Sequence, residues 1–288
     1  MDGVVNLYKE KGITSFGVVA QVRRILKTKK VGHTGTLDPE AEGVLPICVG
    51  RATKLVDYIM AGEKTYRAEF QLGKTSDTLD AFGEVTHHIV TMPKIEQVDK
   101  VLLEFLGDSM QTAPMYSALK KDGKKLYELA REGQVIEREP RPITIFKIEL
   151  ISFKGDSGVF RCTSSKGTYI RSIIDDMGQK LGTGAIMTGL VREQSGPFIM
   201  ENAVTLGNLE REGWKSHFTP MEDVLNSYPE VVIPNDFYHL IVNGVKVKDT
   251  RLKDLIPSGL YRAYSEKRDF LGLIERNEEA LFLKVNLM

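Results

Sequence analysis

The segment 64–72 alternates strictly between apolar and polar side chains, and no other pattern in the chain limits the fold as much. The even-numbered positions are occupied by Tyr66, Ala68, Phe70 and Leu72, and the odd-numbered positions by Thr65, Arg67, Glu69 and Gln71. Successive side chains of a strand point to opposite faces of a sheet, so the alternation predicts a half-buried β-strand. Such a strand has to bury its apolar face against a second layer of structure, so the chain is predicted to form a layered core.

Strand and helix patterns follow one another irregularly along the rest of the chain. Helical spacing of apolar residues predicts helices at 18–26 after a cap at Thr14 or Ser15, at 95–106 before Gly107, at 170–181 and at 52–60. Strand-like segments are 3–8, 43–49, 143–153, 159–164 and 186–191. This order favours an α+β fold with a mixed, largely antiparallel central sheet and flanking helices over a doubly wound sheet.

Two changes in composition divide the chain. Residues 110–133 are polar and rich in lysine and contain Pro114, which predicts a protruding helical insertion lobe. The acidic stretch 201–230 is the expected boundary between a domain at 1–230 and a second one at 231–288. The last 58 residues contain short strand-like segments around glycines, which predicts a small β-rich pseudobarrel module. Turns there could present together the five bases between Lys246 and Arg262.

The charge of the chain is neutral overall but unevenly distributed. Lys and Arg total 39, as do Asp and Glu, which gives a net charge of zero. Five bases and no acid lie between residues 18 and 36: Arg23, Arg24, Lys27, Lys29 and Lys30. Four lysines between residues 120 and 125 accompany only Asp122. Such patches can bind nucleic acid, and solvated helix faces are the alternative for each of them.

Several function classes are disfavoured by what the sequence lacks. Cys48 and Cys162 cannot build a disulfide framework and lack zinc-site spacing, so we expect two buried thiols in a reducing cytoplasm. No apolar run approaches the roughly 18 residues of a membrane span, and no secretory leader is expected at the N-terminus. The segment 73–75 imitates a phosphate loop, but the required earlier glycine is Ala68. His87 and His88 are adjacent, which is poor spacing for a metal site.

The segment 32–39 reads Gly-His-Thr-Gly-Thr-Leu-Asp-Pro and has neither helical nor strand periodicity. Its two glycines and its proline predict a loop in which the backbone can approach a bulky ligand closely. A histidine, two hydroxyls and the carboxylate of Asp38 lie together in it. From the residues alone, an ordinary Asp-Pro turn remains as plausible as a binding site.

This loop, with Ala41 and the segment Gly43-Val44-Leu45-Pro46 after it, resembles the catalytic motif of the TruB family. These are the bacterial tRNA pseudouridine synthases that isomerise uridine 55 in the T loop. Three further segments resemble family motifs in the same order: 64–67 (Lys-Thr-Tyr-Arg), 165–172 (Ser-Lys-Gly-Thr-Tyr-Ile-Arg-Ser) and 189–192 (Gly-Leu-Val-Arg). Val191 replaces the arginine usual in the last motif, which weakens the argument for a base contact at that position only. The resemblance covers roughly residues 1–200, and the last 58 residues loosely resemble the PUA module, a small RNA-binding domain.

The resemblance implies a role for each matched residue. Asp38 is the expected nucleophile, and Arg171 is the expected cation that pairs with it through a bidentate fork. Tyr66, which from its strand pattern alone would be a core tyrosine, is expected to stack on the target base and to handle the C5 proton. Tyr169 and Leu190 are expected to line the uracil pocket, and His33 to help extrude the nucleotide. Gly35, Thr36 and Lys166 complete the predicted substrate-binding set.

The implied reaction needs no redox change and no phosphate transfer, so no metal and no cofactor are expected. The expected partner is the T-arm stem-loop of tRNA, which is recognised mostly by its shape. The basic side chains of residues 18–36 and of the 110–133 lobe are expected to bind its phosphates. We expect a cytoplasmic monomer with no membrane or protein partner. A non-catalytic RNA-binding protein or tRNA-folding chaperone on the same scaffold is the alternative. An Asp-nucleophile hydrolase of small molecules is a third, less favoured reading.

Overall fold

The computed structural model describes residues 1–121 and 123–288, so the predicted Asp122 contribution to the lobe lies outside the described residues. The strands are β1 (Gly3–Lys9), β2 (Val31–His33), β3 (Glu42–Val49), β4 (Lys64–Leu72), β5 (Lys74–Ser76), β6 (Val85–His87), β7 (Gly107–Gln111), β8 (Lys120–Lys121), β9 (Lys124–Lys125), β10 (Arg141–Lys154), β11 (Ser157–Ser164), β12 (Ala185–Ser195), β13 (Phe198–Ile199), β14 (Phe218–Thr219), β15 (Glu230–Ile233), β16 (Gly259–Ser265), β17 (Phe270–Arg276) and β18 (Leu281–Asn286). The helices are α1 (Ser15–Ile25), α2 (Val56–Met60), α3 (Ile95–Leu103), α4 (Leu126–Arg131), α5 (Ile170–Leu181), α6 (Leu206–Glu212), α7 (Met221–Val224), α8 (Asn235–Val242) and α9 (Thr250–Lys253). Short 3-10 turns occupy Gly50–Leu55, Met200–Asn202 and Lys215–His217.

A ten-stranded sheet organises the first part of the chain. Its order is β14-β1-β3-β12-β4-β11-β10-β7, with β2 paired to β3 and β13 paired to β12. Its pairings are antiparallel except for the short parallel contact between β3 and β12, where Val191 faces Glu42 and Arg192 faces Gly43. The mixed, largely antiparallel α+β fold is therefore confirmed.

Two groups of helices cover different halves of this sheet. Helix α1 packs Val18, Val19 and Val22 against strands β1 and β3. Helices α3 and α5 cover the half made of β4, β10, β11 and β12, where Phe70 and Phe160 are fully enclosed. The β3–β12 contact therefore lies between two separate apolar cores.

Most predicted elements are present, but several differ in extent. The helix expected at 52–60 is α-helical only over α2 (Val56–Met60), because Gly50–Leu55 forms a 3-10 turn, and the strand expected at 186–191 is the longer β12. The helix expected up to Leu106 ends at Leu103, because tighter turns follow and Gly107, at φ +96°, begins edge strand β7. Residues 31–33 form strand β2, so the loop begins only at Thr34. The 110–133 segment starts at the end of β7 and combines the β8–β9 hairpin with helix α4, so it is only partly helical.

A separate four-stranded sheet, β15-β16-β17-β18, forms the C-terminal part, with α8 packed on it. This sheet also faces the first part of the chain, because Leu273, Val285 and Leu287 share an apolar cluster with Val4 and Val44. The five bases between Lys246 and Arg262 do not form one free patch. Arg262 pairs with Glu230, and Arg251 pairs with Asp249.

No helix in the described ranges combines the length and the apolar character needed to cross a membrane.

Candidate active site

The loop that carries Asp38 is fixed from beneath by buried polar groups. The hydroxyl of Ser15, the first residue of α1, accepts from the Leu37 N–H and donates to the Leu37 carbonyl, both at 2.9 Å. The Lys9 ammonium donates to the carbonyls of Pro39, at 3.0 Å, and of Ala41. The Asp38 side chain itself remains 42% exposed. The backbone around Asp38 is thus held in place while its carboxylate stays accessible.

Burial gives Lys9 an unusual titration. Its ammonium has no solvent contact, which lowers its pKa to about 8, although the carboxylates of Asp38, Glu40 and Glu42 favour its charge. Nothing in the local sequence distinguishes Lys9 from other strand lysines, so its role could not be predicted from the sequence. Besides the carbonyl of the adjacent Glu10, its partners are the carbonyls of Pro39 and Ala41, about 30 residues away along the chain.

Arg192 holds the other side of the same loop. It is 1% exposed and donates to the carbonyls of Val44, at 2.7 Å, and Gly35, at 3.1 Å. Burial lowers its pKa, and interaction with the Tyr66 hydroxyl opposes that shift. The strand backbone at Arg192 passes so close to Gly43 that a β-carbon there would lie 2.3 Å from the Arg192 carbonyl. Gly43, with φ at +108°, is thus required where β3 meets β12.

Arg171 connects Asp38 to a second carboxylate. Its guanidinium lies 3.0 Å from Asp38 Oδ2 through Nη2 and 3.5 Å from Asp80 Oδ2 through Nη1. The same nitrogens donate to the carbonyls of Tyr116 and Thr78, both at 2.9 Å. The expected bidentate fork on Asp38 is therefore wrong: the two nitrogens face different carboxylates, because Asp80 occupies the second direction.

Asp80 is the acidic residue that the sequence motifs did not reveal. It lies between β5 and β6, where its carboxylate accepts from the Thr78 hydroxyl at 2.7 Å and from the Phe82 N–H at 3.0 Å. These two bonds fix the carboxylate facing Arg171. The short spacing of Thr78, Asp80 and Phe82 is typical of an ordinary turn, so only the fold brings this turn to Arg171.

The three predicted pocket residues are partly buried around this centre. Tyr66 on β4 lies opposite Arg192 on β12, and both Tyr66 and Leu190 pack against the core beneath α5. Tyr169 is fixed by Gln111, which accepts from its N–H at 2.8 Å and donates to its carbonyl at 3.1 Å. Burial raises the pKa of the Tyr169 phenol, and the nearby Asp38 charge adds to that rise. Tyr66 thus contacts the core and the site at once.

The remaining predicted residues lie in different places. His33 accepts from the Gly35 N–H through Nδ1 at 3.3 Å, and burial together with the Arg192 charge lowers its pKa. Gly35 is held by Arg192. Thr36 and Lys166 are exposed and take no part in the Asp38–Arg171–Asp80 contacts.

The geometry suits nucleophilic chemistry on a ligand that enters from solvent. An accessible carboxylate oriented by a guanidinium can attack an electron-poor carbon, and flat side chains beside it can hold a ring. Across residues 1–121 and 123–288, no group of three or more His, Cys, Asp or Glu side chains is arranged to hold a metal ion.

Comparison with known proteins places this chain in a family. The family described as TruB family pseudouridylate synthase (N terminal domain) matches residues 23–170, and the tRNA pseudouridylate synthase B C-terminal domain matches residues 171–235. The chain is 46% identical over 292 residues to tRNA pseudouridine synthase B of Clostridium perfringens, covering 99% of this chain and 98% of that protein. It is 45% identical to the protein of that name from Clostridium novyi, over the full length of both.

Solved structures with the same fold include a chain of a Cbf5-Nop10-Gar1 complex, at a TM-score of 0.74 and 28% identity. Another comes from an H/ACA RNP bound to a substrate RNA containing 2'-deoxyuridine, at a TM-score of 0.73 and 26% identity. Each match covers 99% of this chain and 85% of the other. The chain belongs to the TruB family of pseudouridine synthases.

Proposed function

We propose that this protein isomerises uridine 55 in the T loop of tRNA to pseudouridine, with Asp38 as the nucleophile. The observation that carries the proposal is the accessible Asp38 carboxylate held 3.0 Å from the buried Arg171 guanidinium, in a chain of the TruB family. The relatives named tRNA pseudouridine synthase B span the whole chain. The proposed setting is the bacterial cytoplasm, where tRNA is found.

The reaction exchanges one bond to the uracil ring for another. The N1–C1′ glycosidic bond breaks, the ring rotates, a C5–C1′ bond forms, and the proton at C5 leaves while N1 gains one. Asp38 assists by adding either to C1′ of the ribose or to C6 of the ring, and both routes return the carboxylate unchanged. Because the product is an isomer of the substrate, the reaction consumes no redox equivalent and no phosphate.

Each neighbouring side chain has a proposed part in this sequence. Arg171 supplies the positive charge beside Asp38 and, because Asp80 and two carbonyls hold it, stays in place while the ring rotates. Tyr66 stacks on the uracil and is the candidate acceptor for the C5 proton. Tyr169 and Leu190 line the pocket, and Gly35 and Thr36 contact the substrate from the loop.

The target uridine has to leave the folded T loop before Asp38 can reach it. His33, beside Gly35, is proposed to brace the space left by the nucleotide. Three groups of basic side chains are proposed to hold phosphates of the stem-loop: the Lys and Arg side chains of residues 18–36, the exposed lysines of the 110–133 lobe, and Lys166. The lobe also reaches the catalytic centre, because the Tyr116 carbonyl accepts from Arg171. A protein that only bound or folded tRNA would have no need of this Asp38–Arg171–Asp80 arrangement.

The proposal is tested with a T-arm hairpin transcript tritiated at uracil C5. The protein is incubated with EDTA and without added cofactor. It is expected to release the C5 tritium of the target uridine and to leave the tritium of the other uridines in place. A hairpin in which cytidine replaces that uridine is the control. Binding of the hairpin without tritium release would favour the chaperone alternative, and no binding would reject both.

A further inference from the structure

A groove next to the active-site loop contains an exposed aromatic side chain. Phe16 is 67% exposed on the first turn of α1, and it shares one face of that helix with Val19 and Arg23. This face and the segment 29–33 border a groove of about 600 Å³, whose lining also includes Thr53, Val56 and Asp57. The volume lies within the range of about 300–1,000 Å³ that is usual for ligand sites.

Phe16 is part of an organised arrangement. The centre of the Arg23 guanidinium lies 5.9 Å from the centroid of the Phe16 ring, within the range of a cation–π contact. Arg23 Nη2 also donates to the carbonyl of Val31 at 3.1 Å, which anchors the guanidinium to another residue that lines the groove. One side of the ring is thus supported by a fixed cation, while most of the ring remains open to solvent.

The groove adjoins the proposed catalytic loop. Ser15, the neighbour of Phe16, holds Leu37, the neighbour of Asp38, through two hydrogen bonds. His33 lines the groove and also binds the Gly35 N–H in the loop. These contacts place Phe16 and the groove beside the loop that an RNA strand has to reach to deliver a nucleotide to Asp38.

The charges around the groove favour a nucleic-acid strand as its occupant. Lys29 and Lys30, both exposed, line it together with Arg23, and Asp57 is the acidic residue in the lining. Aromatic rings on basic grooves bind single-stranded nucleic acid by stacking on a base while the cations hold its phosphates.

We propose that Phe16 is a stacking platform for a base adjacent to the target uridine, with Lys29 and Lys30 holding the phosphate of that nucleotide. This inference rests on the proposed function and adds a residue that positions the substrate strand. The platform offsets part of the cost of unstacking the T loop when the uridine is flipped out.

The test measures hairpin affinity for Phe16→Leu and Phe16→Tyr. Leucine keeps an apolar side chain without the ring, and we expect the dissociation constant of Phe16→Leu to rise about 5- to 150-fold, the range that corresponds to losing one stacked base. Tyrosine keeps the ring and should bind within about twofold of wild type. The matched control is Phe282→Leu, since Phe282 also lies near cations, Lys246 and Lys284, but on the C-terminal sheet.

Hairpins with a single abasic nucleotide on either side of the target then locate the stacked base. One of the two abasic hairpins should lack the stacked base. Wild type should bind that hairpin as weakly as Phe16→Leu binds the intact one, and Phe16→Leu should bind it with the same affinity as wild type. Equal affinity of wild type and Phe16→Leu for the intact hairpin would overturn the platform. An unchanged Phe16→Leu penalty with every abasic hairpin would also overturn it. Tritium release by wild type is measured in parallel, so that failure of the proposed function is seen separately from failure of the platform.

Discussion

Replacing Arg171 with lysine keeps the positive charge and removes the planar fork. Arg171 is 5% exposed and serves four acceptors: two carboxylates and the carbonyls of Thr78 and Tyr116. The two terminal nitrogens divide these acceptors between them: Nη2 faces Asp38 and the Tyr116 carbonyl, and Nη1 faces Asp80 and the Thr78 carbonyl. A single ammonium nitrogen cannot face both carboxylates and both carbonyls at these distances.

The expected cost follows from the acceptors left without a donor. One buried carbonyl that loses its donor costs about 1–3 kcal/mol, so we expect Arg171→Lys to lower the free energy of unfolding by that amount. The rate of the chemical step should also fall. If Asp38 shifts by about 1 Å when its partner is shortened, the chemical step slows by about 100-fold.

The assay is single-turnover tritium release with enzyme in excess over the hairpin, together with urea unfolding. Arg161→Lys is the matched control, because Arg161 also makes several ion-pair contacts, with Glu193 at 2.7 Å and Glu149 at 3.1 Å, but is 41% exposed. Exposed pairs contribute only about 0–1 kcal/mol, so both readouts should change little in the control. A rate for Arg171→Lys within about threefold of wild type would refute the role given to the Arg171 guanidinium.

Three further predictions concern buried groups of the protein. Gly43→Ala should lower the free energy of unfolding by at least about 2 kcal/mol in urea titrations, because its β-carbon would meet the Arg192 backbone at a positive φ. Gly207→Ala, in helix α6 with open space around the new β-carbon, should instead raise it by about 0.5–1 kcal/mol. Cys48 and Cys162 are fully buried and have thiol pKa values raised to about 12, so a disulfide reagent should label neither until denaturant is added; labelling of the folded protein would contradict their placement. Lys9 loses its proton at about pH 8 in the folded protein and near its ordinary value of 10.5 in the unfolded chain, so the unfolded state binds more protons between these values. The free energy of unfolding of wild type, relative to Lys9→Met, should therefore rise with pH from about 8, by up to about 1.4 kcal/mol per pH unit, in urea titrations at stepped pH; a flat difference would contradict the buried, charged Lys9.

The fold was largely predictable because its elements carry strong local patterns. The alternation at 64–72 gave strand β4, and the apolar spacing at 170–181 gave helix α5 with its bounds correct. The helix at 95–106 was predicted too long, because Phe105 and Leu106 continue the helical spacing while the chain already turns toward β7. Periodicity records which side chains are apolar, and it does not record where the backbone leaves the helix.

The candidate site was predictable only in part. The family motifs pointed to Asp38 and Arg171; they included Arg192 without a role for it, and they did not include Lys9 or Asp80. Lys9 and Arg192 bind backbone carbonyls, which every residue possesses, and the Arg192–Val44 bond spans 148 residues of sequence. Asp80 meets Arg171 only after the β5–β6 turn has folded over α5. Contacts of this kind depend on the sheet order, and no local pattern encodes them.

The packing of the C-terminal sheet has a similar consequence. Leu273, Val285 and Leu287 bury apolar surface against Val4 and Val44, a contact between segments at opposite ends of the chain. Removing the residues after Glu230 would expose that surface on the first part of the chain. A contribution of the module to tRNA binding is therefore better tested by charge substitutions, such as Lys246→Glu and Lys248→Glu, than by truncation.

The most direct test of the account is single-turnover pseudouridine formation by Asp38→Asn. The variant keeps the size of the side chain and the phosphate contacts, so hairpin affinity should stay within about tenfold of wild type, while formation of product should fall below detection. Glu40→Gln is the control, since it removes a neighbouring carboxylate of the same loop and should retain the activity. Measurable product from Asp38→Asn, at a rate that exceeds the level explained by deamidation to aspartate, would contradict the assignment of Asp38 as the nucleophile.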